Sequence, residues 1–198
     1  MKKNRRQYFI VVCAAVVGMF FTGLLSPALS AEATEEQLLV DKARITFESF
    51  ISDPNMSYLK EHLKDAKGIL IVPSLLKAGF VFGGSGGSGV LIVNDAKKGQ
   101  WSQPAFYTIG SVSFGLQIGG EAAEVIMMVR TQKAVDKLLT SSFKLGGDTS
   151  VSVGPVGTGA KSNVMTDIFS FSRSKGAFAG LALDGSVVTT RDKWNAAY

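Results

Sequence analysis

The sequence predicts an α+β fold in which N-terminal helices pack on a curled, mostly antiparallel, barrel-like sheet with one inserted short helix. The glycine content changes abruptly, because none of the 22 glycines lies between Glu32 and Lys67 whereas 20 lie from Gly68 to Gly185. At Ile69 the spacing of apolar residues changes from helical to alternating or short β-branched runs. With 198 residues, 46% hydrophobic and 19% charged, the chain fits one globular domain.

The N-terminus, residues 1–31, predicts a secretory signal peptide. Residues 2–6 form a basic segment and residues 8–21 an apolar segment, followed by a proline turn and small residues suited to cleavage. Retention as a membrane anchor is the alternative, because the apolar stretch continues to Leu25 and is 18 residues long. We therefore expect a single mature domain over residues 32–198 in an exported protein, periplasmic or secreted, that is either free or peripheral on a membrane.

Two helices are predicted before Gly68. Thr34 and Gln37 have the spacing of a capping box at the start of the first helix. Asp53 and the proline after it predict the start of a second helix that continues to Ala66. One apolar stripe of the first helix is formed by Leu39, Ala43, Phe47, Phe50 and Ile51.

The remainder of the chain predicts a sheet interrupted by one helix. Thr131 is the expected N-cap of a short helix over residues 131–139. Asp184 and Gly185 are typical of a type I′ turn and predict a hairpin between the last two strands. The predicted strands are residues 69–72, 78–82, 90–94, 105–109, 112–118, 125–129, 149–153, 164–171, 177–183 and 186–189.

Most catalytic and metal chemistry is excluded by composition. The single cysteine, Cys13, lies in the predicted signal peptide, and His62 is the single histidine, so a disulfide framework, a thiolate metal site and a histidine triad are not expected. The run GGSGGSG around Ser85 matches the spacing of a dinucleotide loop and of a nucleophile elbow, but a strand follows it where both need a helix. We interpret Glu121 and Glu124 as a solvated loop edge. The sequence thus predicts no catalytic residue, metal or cofactor, with a small hydrolase using Ser85 as a minor alternative.

The charge distribution argues against nucleic acid as a partner. The formal net charge is +5, but four basic residues lie in the signal peptide, and their removal leaves 17 basic against 16 acidic side chains. Residues 32–67 carry a net −3 and residues 68–198 a net +4. The body is mildly cationic, with short basic clusters at Lys77 and at Arg173 and Lys175 that are suited to a lipid phosphate.

A series of sequence blocks, taken together and in order, resembles the SYLF-domain family. Each block alone is weak, but together they extend over about residues 34–198, almost the whole predicted mature chain. The blocks are KGILIVP at 67–73, KAGFVFGG at 77–84, GVL at 89–91, WSQPAF at 101–106, SFGLQIG at 113–119, GDTSV at 147–151 with Gly154 and Pro155, and FSFSRSKGAFAG at 169–180.

This resemblance implies lipid binding without catalysis, with phosphoinositides as ligands in eukaryotic relatives, actin association in fungal relatives and export in bacterial ones. We therefore expect an exported bacterial-type member that binds anionic phospholipid or an envelope surface. The alternative is an envelope protein that binds a protein partner or itself. The lipid headgroup and the protein partner stay open. The expected lipid-binding residues are Lys77, Arg173, Lys175, Leu39, Phe47 and Phe50.

Overall fold

The structure is a computed structural model, and it describes residues 33–79, 82–95, 98–114, 119–174, 177–178 and 183–198. The predicted signal peptide lies outside these described residues. From Thr34 to Tyr198 the chain forms one compact unit.

Helix α1 spans Glu35–Ser52, as the sequence predicts. The Thr34 hydroxyl accepts a hydrogen bond from the backbone N–H of Gln37, which satisfies one of the free donors at the helix start. The second half of the predicted capping box is not formed, because the Gln37 amide bonds the Asp41 carboxylate and the Tyr198 hydroxyl instead. The hydrogen bond to the Thr34 hydroxyl alone caps the start of α1.

The predicted second helix is broken into three pieces. A 3₁₀ turn at Pro54–Met56 precedes helix α2, Ser57–His62, and a second 3₁₀ turn follows at Leu63–Asp65. The Asp53 carboxylate caps the first turn by accepting from the Asn55 N–H at 2.8 Å, so the predicted start is confirmed.

The body is one ten-stranded sheet with two further helices. The strands follow the order β6-β10-β4-β2-β1-β5-β8-β7, with β3 added to β2 and β9 added to β8. Every pairing of named strands is antiparallel except β7 with β8, so the α+β prediction is confirmed with a mixed sheet. The strands are β1 Gly68–Gly79, β2 Phe82–Asp95, β3 Gln100–Trp101, β4 Ala105–Phe114, β5 Gly119–Val129, β6 Ser142–Lys144, β7 Val151–Val153, β8 Ile168–Ser174, β9 Ala177–Phe178 and β10 Val187–Thr190, and the helices are α3 Gln132–Leu138 and α4 Asp192–Ala197.

The strands are fewer and longer than predicted in the first half of the sheet. The predicted segment 69–72 lies in β1, and 78–82 contributes its first two residues to β1 and its last to β2, with 80–81 outside the described residues. The segments 105–109 and 112–118 both belong to β4, although 115–118 lie outside the described residues. The glycine run is not a loop but part of β2. Glycine usually marks the end of a strand in a sequence pattern, so short apolar runs flanked by glycine were predicted as separate strands. In the structure these runs are parts of the long strands of antiparallel hairpins.

Of the hairpin predicted at Asp184 and Gly185, the turn is confirmed and the pairing of its strands is not. A turn is present, since the Ser186 N–H donates to the Leu183 carbonyl and Gly185 has a φ of +83°. Among the described residues, which leave out 179–182, the strands on either side of the turn do not pair, because β10 lies between β4 and β6 while β9 pairs with β8. A turn signal specifies a chain reversal and leaves the partners of the next strand open.

The sheet curls into a half-barrel because its two end strands are adjacent in the chain. Only residues 145–150 separate β6 from β7, and Leu145 forms a bridge with Thr149 within that connection. The inner face encloses one apolar cluster, which α3 closes at one end through Ala134, Val135 and Leu138. The outer face carries a second cluster, covered by α1 and α2.

Candidate functional site

The apolar stripe of α1 packs on the outer face of the sheet. Phe50 is fully buried, and Leu39 and Phe47 are partly buried against the same cluster, which includes Phe169 and Phe171 of β8. Three of the six expected lipid-binding residues are therefore brought together, but as a packing face rather than an exposed one. In this conformation their apolar surface is occupied by the sheet.

Arg173 is held by three groups on the outer face. Its guanidinium lies 2.5 Å from the Glu124 carboxylate, donates to the Ser49 hydroxyl at 2.8 Å, and stands 4.9 Å from the centre of the Phe50 ring. Only 17% of the side chain is exposed. Arg173 therefore links α1 to the sheet. From the sequence, it was expected to serve as a cation for a lipid phosphate. Lys175 lies outside the described residues.

Lys77 belongs to a line of polar residues on the inner face. Across four adjacent strands, Ser111 pairs with Ser85, Ser85 with Lys77, and Lys77 with Glu121. Directly paired residues of antiparallel strands lie on the same face of a sheet. On the fifth strand, the Ser174 hydroxyl donates to the Glu121 carboxylate. We call these five residues the inner polar row.

The inner polar row lies at the end of the half-barrel away from α3. Leu75 and Ala123, two residues before Lys77 and two after Glu121, are buried in the inner apolar cluster, and α3 closes the far end of that cluster. The hydroxyls of Ser85 and Ser111 are 2.8 Å apart. In the described part of the chain, Lys77 makes no hydrogen bond or ion pair with another residue. The row therefore presents an available ammonium group beside two hydroxyls.

The two glutamates singled out in the sequence lie on opposite faces. Glu121 is exposed in the inner polar row, whereas Glu124 is half-buried on the outer face beside Arg173. They are three positions apart along β5, and side chains alternate along a strand. They therefore do not form a carboxylate pair, and the prediction of a loop edge is wrong because both lie within a strand.

The outer face of the same sheet end is apolar and exposed. Leu76 is 61% exposed and Val112 is 91% exposed. Their register neighbours are glycines and alanines, since Leu76 pairs with Gly86 and Ala122, and Val112 pairs with Gly84. Half-exposed antiparallel sheets usually bury the apolar face and expose the polar one, so the pattern is reversed here. We define the outer patch as Leu38 of α1, Leu76, Ala78, Val112 and Ala122.

A groove beside α1 continues the outer patch. It has a volume of about 390 Å³ and is lined by Leu38, Leu76, Trp194 and the exposed Lys42. The Arg191 guanidinium lies 3.3 Å from the centre of the Trp194 ring and donates to the Ser88 hydroxyl. Two cations therefore flank an apolar surface. Sequence reasoning missed this arrangement because it depends on the register of β1 with β2 and on α4, which was not predicted.

The end of the half-barrel near α3 carries another cleft, of about 900 Å³. It is lined by Leu91, Val93 and Leu139 together with scattered polar groups such as Lys67 and Gln132. The Tyr107 hydroxyl closes the adjacent interior by donating to the Leu138 carbonyl, and burial raises the pKa of this tyrosine. The cleft brings together none of the residues singled out from the sequence.

The described residues do not assemble the nucleophilic site considered for Ser85. Ser85 lies within β2 and bonds Ser111, whereas the His62 ring stacks on Tyr58 with 4.0 Å between ring centres and donates from Nδ1 to the Tyr58 carbonyl. No group of three or more His, Cys, Asp or Glu side chains suited to a metal ion occurs among the described residues.

None of the helices in the described residues combines the length and the apolar character needed to cross a membrane.

Comparison with known families places the second half of the chain in a characterised group. Residues 110–198 match the Ysc84 family model, described as Las17-binding protein actin regulator. The match begins inside β4 and continues to the C-terminus, so it includes Arg173, Glu121 and Ser174 but not Lys77.

Three proteins from two yeasts and from human are similar to this chain. An SH3 domain-containing protein of Schizosaccharomyces pombe is 40% identical over 136 residues, which is 65% of this chain and 31% of that protein. LAS seventeen-binding protein 3 of Saccharomyces cerevisiae is 36% identical over 140 residues, 67% of this chain and 30% of that protein. The human SH3 domain-containing YSC84-like protein 1 is 33% identical over 135 residues, 66% of this chain and 39% of that protein. The matched segments thus span only about a third of the length of these relatives.

Proposed function

Because this chain belongs to the Ysc84, or SYLF-domain, family, we propose that it is a non-enzymatic protein that binds membranes containing anionic lipid. The single observation that carries the proposal is the outer patch, an exposed apolar surface whose five members are all uncharged. Contiguous exposed apolar surfaces of this kind mark sites of membrane or protein interaction.

The physical basis of the proposal is burial combined with charge. Transferring an exposed leucine or valine side chain out of water contributes about 1.5–3 kcal/mol, and Leu76 and Val112 are among the most exposed large apolar side chains of the described residues. Lys42 and Arg191 flank the adjoining groove. Each cation near an anionic surface contributes on the order of 1 kcal/mol, so the flanking charge favours anionic over neutral membranes.

The residues assigned here to lipid contact differ from those expected from the sequence. Leu39, Phe47 and Phe50 pack on the sheet and Arg173 is paired, so the contact surface is assigned to the outer patch on the opposite side of β1 from Lys77. Helix α1 contributes Leu38 and Lys42 rather than its apolar stripe.

The proposal includes export to the periplasm or cell surface. Its support is the sequence of residues 1–31, with a basic segment, an apolar segment and small residues near position 30. Mass spectrometry of the protein recovered from the envelope fraction tests this point. A mature N-terminus near Ala31 supports export, and an intact Met1 in the cytoplasmic fraction overturns it.

A second candidate function is binding of a protein partner. LAS seventeen-binding protein 3 is named for such a partner, and an exposed apolar surface serves protein interfaces as well as membranes. On this candidate the outer patch packs against an envelope protein or a second copy of the chain.

The decisive experiment is co-sedimentation of the mature chain with neutral and with anionic vesicles at low and high salt. We expect binding to anionic vesicles that weakens with salt, and loss of binding in a Leu76→Asp/Val112→Asp variant. Met165→Asp is the matched control, because Met165 is 90% exposed and lies in a loop outside the outer patch.

Unchanged vesicle binding by the double variant would contradict the assignment of the outer patch. Absence of vesicle binding, together with a concentration-dependent size in solution that the double variant loses, would favour the protein-partner function.

A further inference from the structure

We propose that the inner polar row is a binding site for a phosphate–ammonium zwitterion, the chemistry of a phosphoethanolamine headgroup. The inference adds to the proposed membrane function a second site, separate from the outer patch, that recognises a net-neutral headgroup, and in its membrane aspect it rests on that function. The site itself is argued from the inner face alone and is tested with a soluble ligand.

The row separates donors from an acceptor along one line. Ser111, Ser85 and Lys77 lie on β4, β2 and β1, and Glu121 follows on β5. Adjacent strands are about 4.8 Å apart, so the three donors cover about 10 Å and the carboxylate lies one strand further on. A ligand lying across the strands from β4 to β5 would contact the hydroxyl and ammonium groups at one end and the carboxylate at the other.

The donor side suits a phosphate group. In the described part of the chain the Lys77 ammonium has no protein partner, and it has three N–H donors. The hydrogen bond between Ser85 and Ser111 uses one hydroxyl hydrogen and leaves the other free to donate. One ammonium group and one hydroxyl hydrogen are therefore available on the same face of adjacent strands for an oxygen-rich ligand, and charge-assisted bonds to phosphate are the stronger kind.

The acceptor side suits an ammonium group. Glu121 is exposed and accepts one hydrogen bond, from the Ser174 hydroxyl, which leaves most of its acceptor positions available. Ser174 is itself buried and fixes the carboxylate in the row. The remaining acceptor positions suit the ammonium group of a ligand.

The net charge of the row distinguishes a zwitterion from a simple anion. Lys77 and Glu121 balance each other, and the ion pair of Arg173 with Glu124 lies on the opposite face. A phosphate ester without an amine would gain from Lys77 but be repelled by the Glu121 carboxylate one strand away. A ligand that carries both charges in the same order as the row gains from both.

The apolar floor of the site keeps the ligand at the end of the half-barrel away from α3. Leu75 and Ala123, the next inward-facing residues of β1 and β5, are buried in the inner apolar cluster. A charged group moved past them would lose water without gaining a polar partner. The ligand is thus held at the level where the same strands present the outer patch on their other face.

The test uses isothermal titration calorimetry of the mature chain with two soluble phosphodiester probes, glycerophosphoethanolamine and glycerophosphoglycerol, which differ in the amine. We expect glycerophosphoethanolamine to bind about tenfold more tightly than glycerophosphoglycerol, the factor that corresponds to one additional charge-assisted contact. Glu121→Gln should reduce this preference to less than about twofold, and Lys77→Met should weaken both phosphate probes about tenfold or more.

Two controls separate the inference from folding and from the proposed function. Lys64→Met removes an exposed lysine outside the row and should leave all affinities unchanged. The Leu76→Asp/Val112→Asp variant should retain glycerophosphoethanolamine binding while losing vesicle binding. Thermal unfolding of every variant confirms that the sheet is intact.

Equal affinity for the two phosphate probes, or wild-type affinity in both Lys77→Met and Glu121→Gln, would overturn the inference. If vesicles bind but glycerophosphoethanolamine does not, the zwitterion site is wrong and the proposed membrane function stands. If the soluble probe binds but vesicles do not, the membrane function is wrong and the row serves a soluble phosphate–amine compound.

Discussion

Arg173 of β8 and Glu124 of β5 stand opposite each other in the sheet register and form an ion pair of 2.5 Å beneath α1. Arg173 also contacts Ser49 and the Phe50 ring, so one side chain joins two strands to the helix. Any movement of α1 away from the sheet would break the contacts of Arg173 with the helix and expose Phe50 to solvent. The pair therefore favours the conformation in which the apolar stripe is covered.

Replacing Arg173 with methionine should lower the free energy of unfolding by about 2 kcal/mol. Loss of one partner of a buried ion pair costs about 3–5 kcal/mol, and the estimate is reduced here because 34% of the Glu124 side chain is exposed. Urea denaturation measures the difference. In a double-mutant cycle with Glu124→Gln, the double variant should be less destabilised than the sum of the two single variants. Strict additivity would show that the pair contributes nothing.

Two adjacent glycines of β2 should differ in their tolerance of alanine. A Cβ added at Gly87 would lie 2.5 Å from the Ser74 carbonyl oxygen, where β1 has a register shift, whereas a Cβ at Gly86 would meet nothing within 4 Å. We expect Gly87→Ala to destabilise the protein by about 1–3 kcal/mol through overpacking, and Gly86→Ala to change stability by less than about 0.5 kcal/mol. Chemical denaturation of the two variants measures both changes in stability. Equal changes would contradict the close approach of the strands at Gly87.

Local structure was predictable where neighbours in sequence determine it. The Thr34 cap, the start at Asp53 and the Thr131 cap of α3 are confirmed, because each depends on hydrogen bonds within three residues of the cap. The α+β class followed from the change of apolar spacing at Ile69. The elements that sequence reasoning missed, β3, β6 and α4, have two, three and six residues and carry too little periodicity to recognise.

The candidate site was predictable only in part, because it depends on strand register. Lys77 was singled out from the sequence, but its neighbours Ser111 and Glu121 are 34 and 44 positions away and become adjacent only through pairing of β4, β2, β1 and β5. The ion pair of Arg173 was not predicted for the same reason, since its partner Glu124 is 49 positions away. A single sequence contains no signal for such long-range register.

Asp167 should make stability depend on pH in the acidic range. Its carboxylate accepts hydrogen bonds from the backbone N–H and hydroxyl of Ser150 and from the Thr131 hydroxyl, and the pKa is lowered mainly by the Ser150 backbone bond and then by Thr131. Because the folded-state pKa lies below the ordinary value near 3.8, the stabilisation is fully present above that value and is lost as the pH falls through the folded-state pKa.

Asp167→Asn should therefore reduce stability at pH 7 by roughly 1–2 kcal/mol and flatten its decline below about pH 4. Thermal unfolding between pH 2 and 7 measures both effects. Asp136→Asn is the control, since Asp136 is exposed and accepts one side-chain bond from Gln132. If the stability of Asp167→Asn still declines below about pH 4 as it does in the wild type, Asp167 is not the source of the pH dependence.

The two tryptophans should report the orientation of the protein on a membrane. Trp194 lines the groove beside the outer patch, whereas Trp101 of β3 pairs with Asn94. Gly86, which also lines the groove, lies eight residues before Asn94 along β2, a distance of about 26 Å at 3.3 Å per residue. On anionic vesicles, a Trp101→Phe variant, which retains Trp194, should show a blue-shifted emission and quenching by bilayer-embedded bromolipids, because indole rings partition to the membrane interface. A Trp194→Phe variant, which retains Trp101, should show neither change. The reverse result, quenching of Trp101 alone, would place the α3 end against the membrane and exclude docking through the outer patch.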